Sequence, residues 1–78
     1  MAEILAYEDS CAGINPATGK YTVDWHACDE LGNNNSSNIE VSFGNNDAAY
    51  ENEIKDGIIN VWQTVYGRTI TRSDIRLR

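Results

Sequence analysis

An α+β domain, one four-stranded, mostly antiparallel sheet with a single helix on one face, is what this 78-residue sequence predicts. Three observations predict it. Between Asp47 and Gly67, stepping ~100° per residue gathers Tyr50, Ile54, Ile58, Val61, Trp62 and Val65 into one apolar arc, with Glu53, Asp56, Asn60, Gln63 and Thr64 opposite. From Lys20 to Cys28 the period changes to two: Tyr21, Val23, Trp25 and Ala27 alternate with Thr22, Asp24, His26 and Cys28. Ile39, Val41 and Phe43 repeat that alternation around Glu40 and Ser42. The chain is long enough for one domain, spanning 1–78, near the lower limit for a self-sufficient core.

In order, Glu3 to Tyr7 reads as the first strand, apolar on both faces through Ile4 and Ala6 on one and Leu5 and Tyr7 on the other. Glu8 to Gly19, with two Gly, the only Pro, Asn and Ser, reads as a long loop. Lys20–Cys28 is the second strand and Asp29–Ser37 a polar loop, followed by the third strand at Ile39–Phe43. Gly44-Asn45-Asn46 turns the chain into the helix. Asp47 is placed to cap it and Gly67 to end it in the left-handed conformation. Gly57, inside the helix, lies where a missing side chain lets a strand approach closely. Beyond Thr69–Thr71, Ser73–Leu77 forms a last strand with Ile75 and Leu77 toward the core. The order β-β-β-α-β, with a right-handed crossover, favours the arrangement 4-1-2-3, which puts the doubly apolar first strand inside the sheet; 1-2-3-4 is the alternative.

Composition limits the function. A net charge of −6 argues against nucleic acid as partner, since phosphate contacts need clustered cations. No apolar run reaches the ~20 residues that span a bilayer, so a membrane is not expected as partner. The first residues, MAEILAYED, lack a basic region before the short apolar stretch, so cytoplasmic synthesis is expected. The two cysteines, Cys11 and Cys28, fall near opposite ends of the expected hairpin and are expected unbridged, in a reducing compartment.

The chemistry-bearing side chains are few. Asp24, His26 and Cys28 share one strand face at i, i+2, i+4, and all three types ligate zinc. No second Cys or His pair completes the set, and the outer face of a sheet is polar anyway, so no metal or other cofactor is expected. His26 and Cys28 lie ~6.5 Å apart along a strand, too far for a direct thiol–imidazole hydrogen bond, so catalysis is not expected. No glycine pattern suits phosphates, and the Asn34-Asn35-Ser36 and Asn35-Ser36-Ser37 glycosylation patterns read as chance matches. The acidic positions Asp47, Glu51, Glu53 and Asp56 would suit a small inhibitor that mimics phosphates toward a basic protein; helix-start charge explains them as well.

Charge is unevenly placed. Residues 1–67 carry two Lys against eleven Asp and Glu, whereas 68–78 carry Arg68, Arg72, Arg76 and Arg78 against Asp74 alone. That basic end, with Tyr7 on the sheet and Ile59 and Tyr66 on the flank of the helix, marks a protein-interaction surface toward another copy or another protein.

The segment from about 39 to 77, an alternating V-S-F strand, a Gly-Asn turn, an acidic-capped helix opening on small residues, then G-R-T-I and a last strand, resembles small accessory proteins of tailed-phage virions. The resemblance implies a non-enzymatic structural or assembly protein of a head, neck or tail, with virion or host proteins as partners. It carries no catalytic or binding residue over to this chain.

Overall fold

The computed structural model describes residues 3–41 and 48–78, with the side chains of 10–13 and 48–50 left aside. Phe43, the Gly44-Asn46 turn and the Asp47 cap lie outside the described residues, as do the side chains of Cys11 and Tyr50. Four strands and one helix are described: β1 (Ile4–Asn15), β2 (Lys20–Asp29), β3 (Asn34–Val41), α1 (Ala48–Tyr66) and β4 (Ile75–Leu77), with a 3-10 turn at Arg72–Asp74. The fold is α+β, one helix on one sheet. The sheet is mixed: its order is β3-β2-β1-β4, with β1–β2 and β2–β3 antiparallel and β1–β4 parallel.

Two expected loops turn out to be largely strand. The Glu8–Gly19 segment continues β1 as far as Asn15 and leaves only Pro16–Gly19 as a turn. There the Asn15 carboxamide accepts the Ala17 N–H at 3.0 Å, and Gly19, at φ 72°, returns its N–H to the Asn15 carbonyl at 2.7 Å. Polar residues hid this strand because two register shifts, Glu8/Ser10 and Cys11/Ile14, interrupt its alternation. The Asp29–Ser37 loop likewise shrinks to a tight turn, and β3 begins at Asn34. Its Asn and Ser residues sit on an edge strand paired from Asn34 to Val41 with β2, where most of the side chains meet solvent. The last strand is shorter than expected, three residues, because Thr71 and Asp74 close a turn ahead of it: Asp74 N–H to Thr71 carbonyl at 3.1 Å and Thr71 N–H to the Asp74 carboxylate at 2.9 Å.

The core lies between α1 and the inner face of the sheet. Ile4 and Ala6 of β1, Val23, Trp25 and Ala27 of β2, Val41 of β3 and Ile75 of β4 pack with Ile54, Ile58, Trp62 and Ile70. The helix corrects the expectation in one place. Val65 is 58% exposed, although its angular position matches Ile58. The buried row is Ile54, Ile58, Trp62 and, in part, Tyr66, each four residues apart. Such a row drifts ~40° per step, because an α-helix turns 400° in four residues, so contact moves off Val65 and onto Tyr66 as α1 crosses the sheet. Ile59, on that same side, also packs against the core. Ile59 and Tyr66 are therefore partly used inside the domain and stay partly exposed.

Gly57 behaves as its position suggests. A Cβ there would collide with the terminal methyl of Ile39, so the bare backbone admits the edge strand. Cys11 pairs across from Val23 and Cys28 from Leu5, five residues apart along β2, or ~17 Å, and Cys28 is a free thiol.

Candidate functional site

The densest polar cluster gathers on Asp29, which sequence reasoning had put in a loop. Val23, Trp25, Ala27 and Asp29 continue one alternation, so the inner face of β2 ends in a carboxylate whose side chain is fully covered. It accepts the N–H groups of Leu31 and Asn33, each at 2.9 Å, and the Asn33 side-chain amide at 2.9 Å. It also accepts Trp62 Nε1 from the helix at 2.9 Å and Arg68 Nη1 at 2.9 Å. Burial pushes the Asp29 carboxyl up, but the bonds from Trp62, Asn33 and Arg68 outweigh it and hold the group well below the ordinary carboxylate range. Arg68 reaches this acid because Gly67, at φ 64°, turns the chain back under the last helical carbonyls: Gly67 N–H meets Gln63 at 3.1 Å and Arg68 N–H meets Trp62 at 3.1 Å.

Glu30 completes the cluster. Its two oxygens take both terminal nitrogens of Arg68, and one of them also accepts the Glu3 N–H at 3.0 Å. Arg68 lowers the Glu30 carboxyl to about 2, helped by that backbone bond, and in return the guanidinium is held protonated. Tyr66 adds a further tie from the helix end, its hydroxyl donating to the Asn34 carbonyl at 2.6 Å. The arrangement clamps the end of α1 to the β2–β3 turn. The bonds gathered on Asp29 and Glu30 run to groups of the same fold, from the turn, the helix and the residue after it, so this cluster ties those elements together.

The outer face of the sheet is where the chain could meet something else. Leu5 and Tyr7 of β1 and Thr22, Asp24, His26 and Cys28 of β2 lie on it, as expected. What the sequence did not show is the partner of the imidazole. The register shift after Glu8 inserts an extra residue, Asp9, and its carboxylate lies 2.6 Å from His26 Nδ1. Tyr7 stacks on the same ring, centroids 4.8 Å apart and planes 15° from parallel. Asp24 lies across from Ser10 and Asn38, and Cys28 across from Leu5 and Asn34. Among the described residues no three His, Cys, Asp or Glu side chains converge on a metal-sized point, and no hydrogen bond joins Cys28 to His26. A shallow hollow of about 210 Å³ lined by Glu3, Leu5, Cys28, Asp29 and Glu30 opens nearby. Of its acidic lining residues, Asp29 and Glu30 are already engaged with Arg68.

The four arginines expected to form one interaction surface separate into two kinds. Arg68 belongs to the clamp. Arg72 grips Asp56 on the helix with two parallel bonds, Nε to Oδ1 and Nη2 to Oδ2, both 2.8 Å. That contact lowers the Asp56 carboxyl and raises the Arg72 guanidinium. It also removes Asp56 from any row of free acids on α1. Arg76 and Arg78, on the outer side of β4, are exposed and make no ion pair among the described residues. Arg78 is held by its backbone, N–H to the Ala6 carbonyl at 2.8 Å and carbonyl to the Glu8 N–H at 3.4 Å.

The chain matches no family model, no curated protein and no solved structure.

Proposed function

We propose that this chain is a non-enzymatic assembly protein that acts by protein–protein contact through the β4 side of its sheet. One observation carries the reading. Arg76 and Arg78 are exposed at the β4 edge of the sheet and make no ion pair among the described residues, in a chain whose acids outnumber its cations two to one. Guanidinium is the cation suited to desolvated carboxylate contacts, and an edge strand offers backbone groups that another chain can pair with. The outer face beside them adds Leu5 and the half-exposed Tyr7 on its His26 platform, an aromatic anchor of the kind interfaces favour. The finer setting, a head, neck or tail component of a phage particle, rests on the sequence pattern of residues 39–77. The test is retention. Immobilised wild-type protein should hold a partner, itself or another protein from its source, that the Arg76→Ser/Arg78→Ser variant releases. Equal retention by both would remove the arginines from the function.

A further inference from the structure

The two edges of the sheet are unlike and fit each other. β3 is eight residues long and carries no charge from Asn34 to Ile39, its only charged residue being Glu40. β4 is three residues long, with Arg76 at its centre and Arg78 directly after it. Long uncharged edges are the ones that recruit another strand, and natural edges are usually blunted by charge or shortness. Each edge also leaves one apolar side chain half covered on the inner face, Ile39 at one side and Leu77 at the other.

We infer that copies of this chain join edge to edge, β4 of one copy lying parallel to β3 of the next, with Arg76-Leu77-Arg78 beside Asn38-Ile39-Glu40. This deepens the reading above and rests on it. Since the N–H and C=O of Arg78 go to β1, strand alternation turns those of Leu77 toward the open side. In this register Leu77 and Ile39, both inward, come side by side and finish each other's burial. Arg78 meets Glu40, whose Oε2 accepts Thr18 Oγ1 at 3.1 Å and whose other oxygen has no partner among the described residues. Arg76 lies over Asn38, with Asp24 one strand further in. Tyr66 takes the Asn34 carbonyl at the far end of β3, away from this stretch. Other pairings fit less well. Two β4 edges would bring four arginines together, and two β3 edges would leave Leu77 and the arginines uncovered. Because the two patches differ, the contact is head to tail and closes into a ring or continues as a chain.

Sedimentation of the full chain at low and high salt tests this, with circular dichroism to confirm folding, since all the substituted positions are exposed. Wild type is expected to associate below ~1 mM, more strongly at low salt. Arg76→Glu/Arg78→Glu and Glu40→Arg should each weaken association on the order of tenfold or more, and the three changes together should restore it in part. Wild type that stays monomeric at ~1 mM in low salt overturns the inference. So does association that ignores both reversals, or a combined variant no better than either alone. If the monomeric chain still holds a different protein through Arg76 and Arg78, the edge pairing fails and the assembly reading stands; if it holds nothing, both fail.

Discussion

Arg68 and Arg72 each grip carboxylates of the fold, whereas Arg76 and Arg78, four to ten residues later, are exposed and make no ion pair among the described residues. All four looked alike in the sequence, a basic tail on an acidic body. The fold separates them by what lies opposite. Arg68 meets a fully covered carboxylate and a second acid beside it, and its own side chain is only 22% exposed. Arg72 meets a carboxylate as exposed as itself, at 52%. Arg76 and Arg78 meet none among the described residues. The comparison teaches that an arginine's charge says little until its surroundings are known: the same side chain can be a clamp, a weak tether or an unspent contact.

The largest expected effect comes from removing the acid at the centre of the clamp. Asp29→Ala leaves the Trp62 N–H, the Asn33 amide and one arm of Arg68 without an acceptor in a covered site. Thermal or urea unfolding should show a loss of about 2–4 kcal/mol, the range for stranding buried polar groups and half of a covered ion pair. A loss as small as that of an exposed ion pair would mean that water replaces the carboxylate and that the clamp is a surface feature.

Acid should weaken the same clamp, and the sign follows from the direction of the shifts. Asp29, Glu30 and Asp56 all titrate lower in the folded chain than in the unfolded one. The unfolded state therefore binds more protons as pH falls, and stability is lost. For Glu30 the contribution is complete above its ordinary value of 4.5 and fades as pH drops toward about 2. Asp29 extends the decline further into acid. Stability measured by urea unfolding from pH 7 to pH 2 should be flat and then fall below about 4.5. In Asp29→Asn it should start lower and fall less steeply.

This clamp was half legible in the sequence. Periodicity is local, so the helix, the alternation of β2 and the close approach at Gly57 could all be read from neighbouring residues. The alternation that placed Val23, Trp25 and Ala27 inward also places Asp29 inward, and a carboxylate on a core face calls for a partner. That signal was present. Which groups answer it was not, because Trp62 and Arg68 lie more than thirty residues away and reach Asp29 only after α1 has crossed the sheet. Asp9 was illegible for another reason: an inserted residue in β1 shifts the register and delivers it to His26, where unbroken alternation would have paired other residues. The drift of the buried row from Val65 to Tyr66 likewise depends on the angle at which helix meets sheet, a property of packing that a single helix's sequence does not carry.

A smaller effect is expected at Arg72. Its bidentate geometry is good, yet both partners are half exposed and screened. Arg72→Ser should lower the melting temperature much less than Asp29→Ala does, and the difference from wild type should shrink in 1 M salt. A salt-independent loss rivalling that of Asp29 would show that Arg72 holds the 3-10 turn in place by packing and not by charge.

The smallest effect on stability, none within error, is expected from Arg76→Ser/Arg78→Ser, and it is the sharpest test of the comparison. Neither side chain makes an ion pair among the described residues, and the two backbone bonds that anchor Arg78 to β1 survive the change. Surface substitutions away from such contacts usually lie within about 0.5 kcal/mol of neutral. If unfolding is unchanged while association or partner retention falls, the arginines act between molecules and not within one. If the variant melts clearly below wild type, Arg76 and Arg78 support β4 in its place by packing their stems over the outer face of the sheet. The division of the tail into structural and free cations would then disappear, and with it the reason to place the contact surface at this edge.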